Sequence, residues 1–225
     1  ATVPPTVEEN AFYSVSKNIS VYVPMESLAA YKAADGWKEF TNLKAIGSGF
    51  TAGNLKYAVT DAAAKTVELT GYVTKPTGIL DIPATVTNGG TTYSVTAIGY
   101  EAFRECRALT SVTIPDGVTS IGYRAFYDCM ALTTMNIPES VTSIRGYAFR
   151  GWEARTPVTI PDGVTEIQDN TFAYCTSLKS VTIGSGVTGI GESAFYYCYG
   201  ITEMTVLATV PPTVEENAFY SVSKN

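Results

Sequence analysis

The sequence predicts a repeat protein of the α/β class, a solenoid of 23-residue coils with short parallel strands on one face and short helical turns on the other, flanked by capping segments. Three observations support this fold class. One apolar pattern recurs five times without insertion from Val95 to Thr209, its apolar positions form columns, and a period-2 segment lies at the same place in each copy. A fixed period of this length is typical of stacked units that cannot bury their apolar face alone.

The repeated pattern is V-x-x-I-x-x-x-A-F-x-x-C-x-x-L-x-x-V-x-I-P-x-G, and its columns predict the core. The copies begin at Val95, Val118, Val141, Val164 and Val187, and Val210 begins a sixth. One column consists of Phe103, Phe126, Phe149, Phe172 and Phe195, and another consists of Ile98, Ile121, Ile144, Ile167 and Ile190. We expect both columns to form continuous ribs of the core.

Each copy also contains the signals of a strand, a turn and a return segment. The L-x-x-V-x-I segment alternates apolar and polar residues and predicts a short strand, which must pair in parallel with its neighbours about 4.8 Å away. The Pro-Asp-Gly or Pro-Glu-Ser that follows predicts a turn. The Ala-Phe-x-x-Cys segment predicts a single helical or 3₁₀ turn on the opposite face.

The third copy departs from the pattern. Gly146 falls one column late, Trp152 replaces the cysteine and Arg155 replaces the leucine. These changes predict a local bulge or a shifted turn near residues 145–157.

The wording I-G-x-x-A-F-x-x-C-x-x-L-x-x-V-x-I-P, as in residues 98–115 and 121–138, resembles the BspA-like leucine-rich repeats of bacterial surface proteins. The resemblance covers about half of the chain and is specific, because many columns agree at one period. It implies a curved, right-handed leucine-rich-repeat solenoid, an extracellular or cell-surface location, and adhesion or protein binding.

The amino-terminal residues 1–49 are interpreted as the closing cap of a preceding unit. Residues 1–18 recur letter for letter as residues 208–225, which indicates either tandem 207-residue units or an engineered overlap. Ile19, Val21 and Val23 predict a strand, and residues 26–34 predict a helix that ends at Gly36. The segment from Val21 to Phe40 also resembles the closing segment that follows such repeats in the same family.

The remaining segments complete the predicted domain organisation. Residues 50–94 are interpreted as an opening cap, with an antiparallel hairpin formed by residues 55–60 and 67–73. Residues 95–209 are the five repeats, and residues 210–225 are a partial sixth repeat without its cap.

The mismatch between the two ends predicts a specific self-association. Residues 1–49 of one molecule contain the same coil fragment as residues 208–225, together with the cap that those residues lack. Exchange of this segment between molecules would give a head-to-tail chain. The alternative is that both ends pack locally or fray.

Composition restricts the class of partner. The net charge of −6, spread without blocks, argues against nucleic acid, for which a basic stripe is expected. No apolar run is long enough to span a membrane, so membrane insertion is not expected. We expect a protein or glycan of the host or bacterial surface as the partner.

The sequence predicts neither a cofactor nor a metal site. Cys106, Cys129, Cys175 and Cys198 share one column; their spacing contains no Cys-x-x-Cys pair, and the chain has no histidine. We interpret them as small buried apolar residues, the alternative being disulfides between neighbouring coils.

An enzymatic role is not expected either. A glycan hydrolase would require a carboxylate pair, for which the column Asp116, Glu139 and Asp162 is the one candidate. We interpret these acids as turn residues after proline. Activity lost on Asp116→Asn or Asp162→Asn would contradict that interpretation.

Two surfaces are candidates for binding. The first is a polar face on the predicted strands, formed by Ser111, Thr113, Thr134, Asn136, Thr159, Ser180, Thr182, Glu203 and Thr205. The second is an aromatic patch on the turn face, formed by Tyr123, Tyr127, Tyr174, Tyr196, Tyr197 and Tyr199. Tyrosine suits interfaces because it offers area and a polar tip at low entropic cost. The predicted function is a non-enzymatic extracellular binding module for adhesion; the alternative is an architectural stalk of tandem units.

Overall fold

The computed structural model describes residues 3–7, 11–13, 15–24, 27–46 and 49–222, and every structural statement below concerns these ranges. Its elements, in chain order, are β1 (Ser20–Pro24), α1 (Leu28–Ala33), β2 (Asn42–Ile46), β3 (Gly49–Ala52), β4 (Leu55–Asp61), β5 (Thr66–Tyr72), β6 (Gly78–Asp81), β7 (Thr85–Asn88), β8 (Thr91–Ile98), β9 (Leu109–Thr113), β10 (Ser120–Ile121), β11 (Thr134–Asn136), β12 (Ser143–Ile144), β13 (Val158–Ile160), β14 (Glu166–Ile167), β15 (Ser180–Ile183), β16 (Gly189–Ile190), β17 (Glu203–Val206) and β18 (Thr213–Val214).

Each coil of the repeat region contributes two short strands rather than the single strand that the sequence predicted. The expected strand of the L-x-x-V-x-I segment pairs in parallel with its equivalent one coil away, as Ser111 does with Thr134. A second, two-residue strand lies at the V-x-x-I segment, where Ser120 pairs with both Ala97 and Ser143. Two residues are too few for a periodic pattern, so the sequence carries no signal for this second ladder.

The turn face is not helical, which corrects the prediction of helical or 3₁₀ turns there; residues 95–222 contain neither. Backbone N–H groups alternate in direction. Ala102 and Arg104 donate to carbonyls three residues earlier, whereas Glu101, Phe103 and Glu105 donate to carbonyls of the next coil. A helical turn would direct its N–H groups along its own axis and leave the neighbouring coil without these bonds.

This alternation depends on two left-handed residues in each coil. The first column of positive φ consists of Glu101, Arg124, Tyr147, Asn170, Ser193 and Asn217, and the second consists of Glu105, Asp128, Gly151, Tyr174, Tyr197 and Ser221. All but one of these residues carry a side chain, so each such position bears a conformational cost. The inter-coil hydrogen bonds offset that cost in every coil.

The core is a stack of phenylalanine rings, as the column pattern predicted. Ring centroids of successive residues lie 5.3 Å apart for Phe103 and Phe126, 5.9 Å for Phe126 and Phe149, and 5.4 Å for Phe149 and Phe172. The stack continues through Phe195 to Phe219 of the sixth copy. These rings are nearly parallel, an offset arrangement that aromatic pairs favour.

The parallel sheets are interrupted at the third copy, where the sequence predicted a bulge. The strand β11 pairs with β9 but not with β13, which pairs with β15 instead. In the fifth copy, the Thr202 N–H donates to the Lys179 carbonyl of the preceding coil. In the third copy, the equivalent bond to the Thr133 carbonyl comes from Arg155, one residue before the matching position, so the chain here is one residue out of register. Pro157 follows and has no N–H to donate, whereas Glu203 at the matching position donates to Lys179.

Trp152 fills the cysteine position of this copy from within the core. Its side chain is fully buried and packs 5.5 Å from Phe149 between ring centroids. The indole N–H has no hydrogen-bond partner among the described residues.

The segment of residues 49–98 leads into the repeats through mixed pairing. The strands β4 and β5 form the antiparallel hairpin that alternation predicted, and β3 extends it. The strand β5 then pairs in parallel with β8, and β6 pairs with β9, so the first coil continues sheets that are already in place. The β7–β8 hairpin turns at Gly89 and Gly90, which both have positive φ.

The amino-terminal arm, defined here as residues 1–46, has a small core of its own. The strands β1 and β2 pair in parallel on either side of α1 in the sequence. Val23, Tyr31, Phe40 and Leu43 are buried together, and Phe12, Val21, Leu28 and Trp37 pack against them. The helix spans residues 28–33, close to the predicted range, and Gly36 in the following turn adopts φ of 77°. The predicted cap residues 47 and 48 lie outside the described residues.

Candidate binding surfaces

The polar strand face forms two separate ladders rather than one. In the first, Thr113 pairs with Asn136 on one side and with Asp81 on the other, and its hydroxyl donates to the Asp81 carboxylate at 2.7 Å. In the second, Thr159, Thr182 and Thr205 lie opposite one another on β13, β15 and β17. The break at Pro157 separates the ladders, so the nine predicted residues do not form one continuous surface.

Most residues of this face are accessible. Thr113, Thr134, Asn136, Thr159, Glu203 and Thr205 are exposed, whereas Ser111, Ser180 and Thr182 are half-buried. The sequence reasoning omitted Asp81, which extends the first ladder by one coil. Its signal was present in the half-copy I-L-D-I-P, in which Asp81 occupies the position of Thr113.

The turn face carries a strip in which arginines alternate with the predicted tyrosines. The Arg104 guanidinium lies 5.7 Å from the Tyr127 ring centroid, and Arg150 lies 5.1 Å from it on the next coil. Arg150 also lies 4.5 Å from the ring of Tyr174, and its Nη1 donates to the Tyr127 hydroxyl at 2.7 Å. The strip therefore connects four coils through cation–π contacts.

A second row of the strip centres on Arg124. Its guanidinium lies 4.9 Å from the Tyr123 ring and 5.4 Å from both Tyr127 and Tyr147. Tyr123 in turn stacks on Tyr100 at 5.7 Å. Sequence reasoning missed the arginines because it followed the tyrosines alone, although Arg104 and Arg150 share a column with Tyr127, and Arg124 shares one with Tyr147.

Acidic residues neutralise these arginines. Glu101 accepts from both Arg104 and Arg124, and Asp128 lies 3.4 Å from Arg150. Burial raises the pKa of Glu101, but its bonds with Arg104 and Arg124 outweigh that effect and hold the pKa below its usual value. The strip is thus an ordered aromatic surface rather than a site for anions.

The strip ends in a cluster of four tyrosines at the carboxy-terminal coils. Tyr174 stacks on Tyr197 at 5.4 Å with rings 4° apart, and Tyr196 stacks on Tyr220 at 5.1 Å. Tyr196 also contacts Tyr197 edge to face at 4.6 Å. We call Tyr174, Tyr196, Tyr197 and Tyr220 the tyrosine cluster.

The cluster retains an accessible surface but excludes one predicted member. Tyr174 and Tyr197 are 39% and 36% exposed, and Tyr220 is 50% exposed. Tyr199 is 60% exposed, and none of the ring contacts among residues 49–222 joins it to the cluster. The aromatic patch thus comprises five of the six predicted tyrosines, with Tyr220 as an addition.

A groove of about 780 Å³ runs along the strands at the V-x-x-I segments, β8, β10 and β12. It is lined by Tyr100, Tyr123, Arg145 and Gln168, and by Asn18 and Asn42 of the arm. The groove was not predicted, because it lies between the arm and coils that are distant in sequence.

Glycine explains why the groove has room at one end. Gly122 follows Ile121 in the second coil, and a Cβ at this position would lie 2.6 Å from the Gly99 carbonyl carbon. The same column holds Arg145 and Gln168 in the next two coils. Side chains are thus confined to the coils beside the interruption, where they form one wall of the groove.

The four cysteines are free buried thiols stacked along the core. The Cys129 thiol donates to the Phe103 carbonyl at 3.1 Å, and Cys175 and Cys198 make the same contact to Phe149 and Phe172. Burial raises the pKa of Cys129 to about 12 and also raises the pKa values of Cys106 and Cys175. The alternative of inter-coil disulfides is not observed.

The acids after proline act as turn residues between coils. The Asp162 carboxylate accepts from the backbone N–H of Ser185, one coil later, at 2.6 Å, and this bond lowers the pKa of Asp162. Asp116 and Glu139 are exposed at equivalent places. This bond joins two successive coils.

Neither a metal cluster nor a membrane-spanning helix occurs in the described part of the chain. Residues 3–7, 11–13, 15–24, 27–46 and 49–222 contain no group of three histidine, cysteine or acidic side chains placed to hold a metal ion. Over the same ranges, no helix has the length and apolar character needed to cross a bilayer.

Parallel strands repeated coil upon coil around a rib of phenylalanines define a leucine-rich-repeat protein. The chain belongs to the BspA type of this class, because residues 95–225 match the family described as "BspA type Leucine rich repeat region" in six copies. The resemblance noted in the sequence is thereby confirmed.

Two solved structures support the fold. A leucine rich cell surface protein from Faecalibacterium prausnitzii A2-165 is 30% identical with a TM-score of 0.55, and the match covers 74% of this chain and 56% of that one. This chain therefore spans little more than half the length of that relative. A leucine-rich-repeat protein from T. pallidum, 21% identical with a TM-score of 0.61 over 73% of this chain and 85% of its own, shows the fold alone. The search of curated proteins finds no sequence match.

Proposed function

We propose that this chain is a non-enzymatic, extracellular leucine-rich-repeat module that binds a protein or glycan at the cell surface and serves adhesion. Membership of the BspA type supports this function, as does the cell-surface description of the similar protein from F. prausnitzii. The residues that would bind are a proposal of their own, which rests on the geometry of the two surfaces.

The tyrosine cluster is the single observation that carries the proposal. Its rings are held by one another, and Arg150 fixes Tyr174 from the preceding coil at 4.5 Å. Side chains ordered before binding lose little conformational entropy when a partner docks. Tyrosine also contributes a large share of binding energy in protein interfaces and stacks against apolar ligand faces.

The threonine ladder of β13, β15 and β17 is the weaker candidate. Thr159 and Thr205 are exposed and Thr182 is half-buried, and these hydroxyls offer hydrogen bonds but little apolar area. Exposed threonines on a strand are also favoured for the strand itself. We therefore assign the main contact to the tyrosine cluster.

The test is a binding screen of the 225-residue chain against host matrix proteins and immobilised glycans. The double variant Tyr174→Ala/Tyr197→Ala should lower the affinity for any partner found by roughly tenfold or more, because each ring loses an interface contact. Tyr199→Ala is the matched control and should leave the affinity within about twofold.

Two results would contradict this assignment. If the double variant binds as tightly as the original chain, the tyrosine cluster is not the contact surface. If Thr159→Ala/Thr205→Ala lowers the affinity instead, the polar ladder takes its place. Circular dichroism of each variant should match that of the original chain.

The second candidate function is an architectural spacer, in which tandem units form a stalk. The observation that favours it is the unbroken ring stack from Phe103 to Phe219, which crosses the break in the sheets. Failure of every partner in the screen, with the fold intact, would favour this role.

A further inference from the structure

The described chain presents an open sheet edge near each end. The strand β17 is the last of the parallel sheet β13–β15–β17, and no described strand pairs with its outer edge. The strand β1 pairs only with β2 among the described strands, so its other edge is open as well. Such edges are templates for pairing with another strand.

The two copies of the duplicated segment, residues 1–18 and residues 208–225, pack against different neighbours. In the second copy, Phe219 stacks on Phe195 at 5.5 Å and Tyr220 stacks on Tyr196 at 5.1 Å. The equivalent Phe12 of the first copy packs instead against Trp37 at 5.1 Å and Phe40 at 5.0 Å. The same coil sequence therefore packs through one face in the first copy and through the other face in the second copy.

Exposed apolar side chains lie on the arm and at β17. Val3, Tyr13 and Ile19 of the arm are 73%, 84% and 44% exposed. At the other end, Val206 and Leu207 are 45% and 49% exposed. A cavity of about 290 Å³ lies beside them, lined by Ile201, Thr202, Glu203, Met204, Phe219 and Val222.

We propose that the carboxy-terminal end of the repeat stack binds the amino-terminal arm, residues 1–46, of a second copy of this chain. The arm takes the position of residues 208–222 against the fifth coil, so that Phe12 and Tyr13 of the second copy stack on Phe195 and Tyr196. The segment that already occupies this position, residues 208–222, has the same sequence as residues 1–15 of the arm, which identifies the occupant.

The strand register follows from which side chains face the core. Val181 and Ile183 of β15 are buried and pair with Met204 and Val206 of β17. In the arm, Val23 is buried and Val21 packs against the same small core. Placing Val21 and Val23 beside Met204 and Val206 sets Ser20 opposite Glu203, and the sheet then continues as β17–β1–β2.

The exchange retains contacts on both sides and adds new ones. The arm keeps its own core and its place against β4, because β2 packs there in its own chain. In the assembly, residues 1–15 of the second copy replace the identical residues 208–222 against the fifth coil. The strand β17 also gains β1 along its edge. The two contact surfaces differ from each other, so the contact is heterologous and propagates head to tail rather than closing as a dimer.

The decisive experiment substitutes the same tyrosine in each copy of the duplicated segment. Tyr13→Ala removes a ring that is exposed in the single molecule and packed in the assembly, so association should weaken by roughly 2- to 10-fold. Tyr220→Ala loosens the segment that competes with the arm, so association should strengthen by a similar factor. Light scattering across a wide range of concentrations measures both.

A cross-link tests the register. The double variant Ser20→Cys/Glu203→Cys should form a series of disulfide-linked oligomers under mild oxidation, and each single variant should not. A strict monomer at every concentration overturns the proposal, and so does a shift of Tyr13→Ala and Tyr220→Ala in the same direction. Partner binding by the tyrosine cluster is measured separately, because Tyr13 replaces Tyr220 in the assembly and leaves that surface in place.

Discussion

At the scale of single residues, position within a column determines chemistry. Burial raises the pKa values of Cys106, Cys129 and Cys175, and Cys129 donates to a carbonyl of the preceding coil. Trp152 occupies the same column in the third copy and is buried as well. The column is therefore a packing position, and its sulfur atoms act as small apolar groups that make one weak hydrogen bond.

The raised thiol pKa values predict a loss of stability in alkali. The pKa of Cys129 is about 12 in the folded chain against 9.0 for a free thiol, so the folded state keeps a proton that the unfolded state loses. The stabilisation is complete below about pH 9 and declines above it, by up to about 1.4 kcal/mol per pH unit for each such thiol. Denaturant titrations between about pH 8 and about pH 10.5 measure the slope.

The matched variant for this measurement is Cys129→Ala. It should lower the slope of stability against pH while leaving the contributions of tyrosine and lysine unchanged. An identical slope in the variant would show that Cys129 ionises as easily in the folded chain as in the unfolded one.

At the scale of elements, glycine determines how closely coils approach. Gly122 and Gly99 lie in the same column of adjacent coils, and the space between them excludes a methyl group. Arg145 and Gln168 occupy that column where the sheets are interrupted. The I-G dipeptide of the repeat is thus a packing requirement of the regular coils.

Gly122→Ala should therefore destabilise the chain. The added methyl group would meet backbone atoms of Gly99 at 2.6–2.7 Å and force the two coils apart. Overpacking of this kind costs about 1–3 kcal/mol in the free energy of unfolding. Chemical denaturation measures it, and Arg145→Ala in the same column should change stability by less than about 0.5 kcal/mol. Equal effects of the two variants would contradict the close-approach argument.

At the scale of the whole molecule, the core is continuous although the sheets are not. The ring stack passes through Phe149, while β11 and β13 do not pair. Trp152 is buried in the third coil and packs on Phe149. Repeat proteins transmit cooperativity only between neighbouring coils, so the weakest junction determines where the stack opens first.

Hydrogen exchange should locate that junction. Amides of residues 158–160 should exchange faster than those of residues 181–183, because β13 has a strand partner on one side and β15 has partners on both. Trp152→Ala should cost about 3–5 kcal/mol and widen this difference. Mass spectrometry of exchanged peptides measures both effects, and uniform protection across the two strands would contradict them.

The sequence alone determined the period, the ring stack, the main parallel ladder and the site of interruption, because residues one period apart become neighbours in any stack of equal coils. Phe126 between Phe103 and Phe149 follows from counting, and so does Trp152 within the cysteine column.

Only the tertiary structure decided the backbone of the turn face, the second ladder, the pairing of Arg124 and Arg150 with tyrosines, and the groove beside Arg145. The physical reason is that these features involve the backbone, polar and aromatic surface side chains or the arm, none of which belongs to the buried apolar columns. Such contacts depend on the rotation between coils and on hydrogen bonds between them, and a repeating pattern of apolar letters contains neither.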